Sequence, residues 1–174
     1  MSTWLIDPIH SEVKFKIRHL VVSTVTGHFG KFDATITTST DDFSDASISF
    51  NADVASIDTR NEQRDGHLKS ADFFNVEQFP KMQFISKEFK KEGDGEYTVI
   101  GDLSLHGVTK EVKLHAQYNG TVAGLGGGTV AGFEITGKLS RNDFGLTWNA
   151  VTEAGGIALS DDVKIDINAE LIKQ

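Results

Sequence analysis

The chain runs to 174 residues with a formal net charge of −8 and no Cys. One domain of that length buries about 70% of its unfolded surface, and the acidic balance speaks against nucleic acid, whose phosphates call for Lys and Arg. Without Cys there are no disulfides and no thiolate metal sites, and no apolar run is long enough for a helix to span a bilayer, so stable membrane insertion is not expected.

The amino terminus, MSTWLIDPIHS, has no basic segment followed by an apolar core. It does not read as a signal peptide, and a cytoplasmic location is expected. A periplasmic or secreted location is the alternative if a signal has been removed.

The first clear element is SEVKFKIRH (11–19). Val13, Phe15 and Ile17 share one face, and Glu12, Lys14, Lys16 and Arg18 the other. Residues 27–38 form a second, less regular strand. In ASISFNADV (46–54), Ile48, Phe50, Ala52 and Val54 oppose Ser47, Ser49, Asn51 and Asp53. Period two with one wet face means antiparallel strands packed on one side.

The pattern then breaks at DTRNEQRDGHLKSADFF (58–74). Thr59 and Glu62 have the spacing of a capping box, and Asp65 and Lys69 sit at i,i+4 with the acid first. A short helix is expected over about 60–69. Leu68 is its one strongly apolar residue, and so short a helix needs an anchor. Phe73, Phe74 and Phe79 come directly after it to supply one. The segment is either a lid plugged into one mouth of a barrel or a surface connection whose Phe residues extend the core.

Alternation resumes at 81–89 and 96–105. It is clean in KEVKLHAQYN (110–119), where Val112, Leu114, Ala116 and Tyr118 oppose Glu111, Lys113, His115 and Gln117. After 130–139 comes DVKIDINAEL (162–171), with Val163, Ile165, Ile167, Ala169 and Leu171 on one face. The turn signals STDDFSD, EGDGE and GLGGG separate these segments. Eight antiparallel strands of about ten residues suit a closed barrel better than a sandwich of shorter ones. Such a barrel is either filled by its own side chains or just wide enough for one small ligand.

Most of these segments resemble one family. The stretch DTRNEQRDGHLKSADFFNVEQFPKMQF is similar to the central signature of the YceI-like polyisoprenoid-binding proteins. IDPIHSEVKFKIRHL, TGHFGKFDATI, GDLSLHGVTKEV, RNDFGL and LSDDVKIDINAEL agree in order and spacing. The resemblance implies an all-β, eight-stranded antiparallel lipocalin-like barrel in a single domain over 1–174. It also implies an isoprenoid quinone or polyprenyl phosphate or pyrophosphate inside, held for transport, storage or sequestration, and a homodimer. The alternative is a structural or interaction barrel with a filled core and no lipid.

On this reading Phe15, Ile17, Phe32, Phe50, Val54, Phe73, Phe84, Leu103 and Phe133 line the tail cavity. Arg60, Arg64, His19 and His67 are the candidate head-group contacts; the alternative for Arg60, Arg64 and Lys69 is a solvated helix face partly neutralised by Glu62 and Asp65, and for His19 a hydrogen-bonded core histidine. Neither H-E-x-x-H nor G-x-S-x-G occurs, and GLGGG lacks the Lys-Ser/Thr of a phosphate loop. A non-enzymatic protein without cofactor, metal or catalytic residues is therefore expected.

Overall fold

The computed structural model describes residues 1–151, 156 and 158–174. Its strands are β1 (Ser2–Ile6), β2 (Glu12–His19), β3 (Ser23–Phe29), β4 (Phe32–Thr38), β5 (Ser47–Asp53) and β6 (Ile57–Asp58), then β7 (Lys81–Gly93), β8 (Glu96–Leu105), β9 (Val108–Ala123), β10 (Thr129–Ser140) and β11 (Leu159–Lys173). All pair antiparallel in one sheet, which closes where Ile6 meets Leu171 across β1 and β11.

The eleven strands make eight staves. β11 carries β2 along its first half and β1 along its second, so β1 and β2 are two arms of one bent stave. β3 and β4 are the arms of the next, and β5 and β6 of the third. Periodicity alone makes 27–38 one strand. The chain bends at Gly30–Lys31 instead, level with the break after β1 and the one-turn 3-10 helix Val54–Ser56. β1 itself escapes the sequence pattern.

The bend opens the wall. β5 pairs with β7, but β6 pairs only with β3, so the sheet parts beyond Asp53 and Lys81. Helix α1 (Glu62–Lys69) and residues 70–80 enter there. α1 has no fully buried residue and depends on the aromatic segment C-terminal to it. Phe73 is buried, Phe74 packs edge-on to Phe29, and Phe79 packs on His106.

The alternation read from the sequence holds. Val13, Phe15, Ile17, Ile48, Phe50, Val112, Leu114, Ile165 and Ile167 all face one interior. Lys14 also touches it, but its ammonium pairs with exposed Glu12, and Lys16 pairs with Asp166. His115 is exposed.

Candidate functional site

The interior is hollow. A cavity of about 600 Å³ runs through the barrel, lined by side chains of every stave. It stays open because several large inward side chains lie flat along the wall, over glycines of the adjacent strand. The Phe15 ring covers Gly27, the Phe84 ring covers Gly101, and Leu114 covers Gly137. A side chain at Gly27 or Gly137 would push its neighbour toward the lumen, and one at Gly101 would also meet the Ile85 carbonyl.

One end is sealed. Phe43, in the loop between β4 and β5, is 1% exposed and packs against Trp4, Tyr118 and Phe133 at centroid distances of 5.1, 5.5 and 5.0 Å. It does so from a backbone with φ of 61°, a conformation that costs a bulky residue energy. Asp45 pins the loop by accepting from Thr38 Oγ1 at 2.5 Å and from the Ser39 N–H at 3.0 Å. Tyr97 donates its hydroxyl to the Asp42 carbonyl.

The other end is the mouth, and it is where the polar wall residues gather. Helix α1 presents Arg64, His67 and Leu68 to the cavity. Arg64 curls back on Thr59, donating from Nε to Oγ1 at 2.7 Å and from an Nη to the carbonyl at 2.6 Å. The Thr59 hydroxyl and N–H in turn donate to Asp65, at 2.5 and 2.9 Å. The His67 ring meets Trp148 edge-on at 4.7 Å and hydrogen-bonds Asp72 at 2.9 Å.

Arg141 closes the far side of the mouth. It is 6% exposed and lines the cavity. Its guanidinium donates to the carbonyls of Ser160, Leu146 and Trp148 at 2.8, 2.7 and 2.7 Å. Burial lowers its affinity for the proton. Among the described residues it has no carboxylate within ion-pair distance. Lys14 touches the cavity wall but pairs its ammonium with exposed Glu12. The wall carries the guanidinium groups of Arg64 and Arg141 and, among the described residues, no Asp or Glu. That is the reverse of the chain's net charge of −8.

The sequence-derived residues divide accordingly. Phe15, Ile17, Phe50, Phe73, Phe84, Leu103 and Phe133 reach the cavity, as do Arg64, His19 and His67. Three do not. Phe32 stacks on Phe50 at 6.5 Å beside the Gly30–Lys31 bend. Val54 is fully buried, but the 3-10 turn in which it sits ends the alternation of β5 and turns it off the wall. Arg60 has φ of 66° and its N–H donates to Asp58, which carries its side chain out to solvent.

The helix start also moves. Asn61, not Thr59, is the cap, accepting from the Arg64 N–H at 2.9 Å, and α1 begins at Glu62 rather than near 60. Sequence reasoning does not single out Arg141 and Trp148, since their partners are backbone carbonyls and rings that no local pattern announces. Asp7, His10 and Glu170 gather at the surface, with ligand atoms within 4.8 Å of one another, but off the cavity wall. They fasten the bend between β1 and β2.

An eight-stranded antiparallel barrel with an apolar lumen, a sealed end and a helix at its mouth belongs to the lipocalin-like class, which encloses space rather than filling it. Residues 4–171 match the model of the YceI-like domain, and the chain belongs to the YceI-like family. It is 37% identical over 171 residues to the UPF0312 protein of Staphylococcus aureus strain MSSA476, covering 98% of this chain and 97% of that one. The solved YceI protein of Campylobacter jejuni superposes with a TM-score of 0.77 at 31% identity, over 91% of each chain. A polyisoprenoid binding domain from Saccharophagus degradans shares the fold, with a TM-score of 0.68 at 16% identity over 98% of each chain.

Proposed function

We propose that this protein binds one long isoprenoid lipid, an isoprenoid quinone or a polyprenyl phosphate or pyrophosphate, with the tail in the lumen and the head group at the mouth. It serves in transport, storage or sequestration rather than catalysis. The observation that carries this reading is the apolar cavity of about 600 Å³, sealed by Phe43 at one end and bordered by polar groups at the other. Each tail methylene withdrawn from water contributes about 0.8 kcal/mol, so a linear guest needs few polar anchors. The cationic wall supports a head group that is anionic or offers carbonyl oxygens. The polyisoprenoid binding domain that shares the fold supports the ligand class.

The test is organic extraction of the purified protein and mass spectrometry of the extract. An isoprenoid lipid at about one per chain is expected. Protein that carries none, and takes up neither added quinone nor polyprenyl phosphate, refutes the reading.

A further inference from the structure

The turn between β2 and β3 stands at the rim of the mouth and is built against ordinary turn chemistry. The Val22 N–H donates to the His19 carbonyl at 3.2 Å, and the two residues between them, Leu20 and Val21, have φ of 51° and 65°. Turns with two positive φ values favour Asn-Gly, and a β-branched residue in that region is an outlier. Here Leu20 and Val21 are succeeded by Val22. Val21 and Val22 are 73% and 80% exposed. Backbone strain and exposed apolar surface thus coincide at one tip, and strain of this kind concentrates at functional sites.

The surroundings identify what the tip meets. Its root is continuous with the cavity wall: His19 and Val25 line the lumen, and the Leu20 N–H donates at 2.7 Å to the carbonyl of Ala158, another wall residue. Arg18 folds over the turn, donating to the Val21 carbonyl at 2.5 Å and to Thr24 Oγ1 at 3.2 Å. Arg18 is exposed and, among the described residues, has no carboxylate partner, so a positive charge stands beside the apolar tip. Three side chains on a convex tip fall far short of the roughly 800 Å² per partner of a stable protein interface. A fluid acyl layer needs no matching shape.

We infer that the His19–Ser23 turn is a membrane-docking tip. Leu20, Val21 and Val22 enter the acyl boundary of a phospholipid bilayer while Arg18 meets a lipid phosphate, which opens the mouth onto the layer that holds isoprenoid tails. The docking is peripheral and reversible, because three residues reach no deeper than that boundary. It rests on the lipid-binding reading for its purpose but not for its physics. The acidic remainder of the chain is repelled by an anionic surface, so the apolar tip contributes more than the charge.

The test is co-flotation of the full chain with vesicles of phosphatidylcholine and phosphatidylglycerol. Wild type is expected to float with them. Leu20→Asn combined with Val21→Gly gives the turn the residues it favours and removes two apolar side chains. The double variant should melt no lower than wild type and partition about tenfold or more weakly. Arg18→Gln should lower binding about fivefold when phosphatidylglycerol is present, and less on phosphatidylcholine alone. No flotation of wild type, or equal flotation of the double variant, overturns the proposal. So does a tip-dependent change in solution mass without vesicle binding, which would make the turn an interface between copies. Extracted lipid is read separately. A chain that carries lipid but does not float refutes the docking alone, and a chain that floats but neither carries nor takes up an isoprenoid refutes the lipid reading alone.

Discussion

The Phe15 ring occupies the place of a side chain on Gly27, across the β2–β3 pair: a Cβ built on that glycine would lie 2.4 Å from Phe15 Cζ. Leu114 and Gly137 stand in the same relation, with Leu114 Cδ2 at 2.4 Å. Eight staves enclose so little width that ordinary side chains fill it. Glycines beside large inward residues keep this barrel hollow.

Gly137→Ala should therefore cost capacity rather than folding. The atom in its way is the far end of Leu114, which can swing into the lumen. The extracted lipid is expected to be shorter or sub-stoichiometric, with little change in Tm. At Gly101 the obstacle is the Ile85 carbonyl oxygen, also at 2.4 Å. Backbone cannot swing aside, so Gly101→Ala should destabilise by about 1–3 kcal/mol through overpacking. Wild-type lipid content in Gly137→Ala would mean that the glycines do not hold the lumen open.

The sealed end and the lumen should respond differently to loss of a ring. Phe43→Ala deletes the centre of a packed aromatic cluster, and about 3–5 kcal/mol of stability should go with it in urea titration. Phe50 faces the cavity, so Phe50→Arg can extend into open space. It should abolish lipid retention while unfolding the protein less than Phe43→Ala does. The reverse order of the two midpoints would mean that the lumen is a core.

Strong acid should loosen the sealed end. The Thr38 hydroxyl, with the Ser39 N–H and Thr40, lowers Asp45 from 3.8 to about 2. Asp42 is lowered as well, chiefly by Ser44 and then by Lys91. Because the folded-state value of Asp45 is depressed, its contribution is complete above pH 3.8 and is lost as pH falls through about 2. Near-ultraviolet circular dichroism, to which Trp4 beside Phe43 contributes, should show a transition in that window. Asp45→Asn should already be loosened at neutral pH and show a smaller acid transition. An identical transition in both proteins would free Asp45 of the role.

Much of the wall is legible in the sequence because period two leaves one choice of face once the strands are recognised. Val13, Phe15 and Ile17 against Lys14 and Lys16 need nothing more. β1 escapes because STWLI is too short to alternate, and its place is set by pairing with β4 and β11. The cap is misplaced because T-x-x-E spacing says nothing of the backbone between. Arg60 at φ of 66° moves the cap to Asn61 and leaves Thr59 to bond Asp65. Phe43 is hidden in a run of turn residues. Whether the barrel is hollow depends on which glycine faces which ring, and that is a property of register between strands rather than of any one segment.

The mouth supplies the last prediction. If the 58–74 segment is a lid, its hinge and its plug should separate. Asn61→Ala removes the cap and should cost about 1 kcal/mol of helix stability. α1 buries nothing fully, so the barrel's Tm should hardly move while lipid exchange quickens. Thr59→Ala acts differently from a lost cap. It removes the hydroxyl that joins Arg64 to Asp65, leaves Arg64 held by the Thr59 carbonyl alone, and should weaken retention of a polyprenyl phosphate more than of a quinone. Phe73→Ala deletes the buried plug, costs about 3 kcal/mol or more, and should lower both Tm and retention. The deciding measurement is the lipid off-rate of Asn61→Ala against wild type, with hydrogen exchange reporting α1. A helix that frays while the off-rate stays at the wild-type value makes the segment a connector, and the lid goes with it.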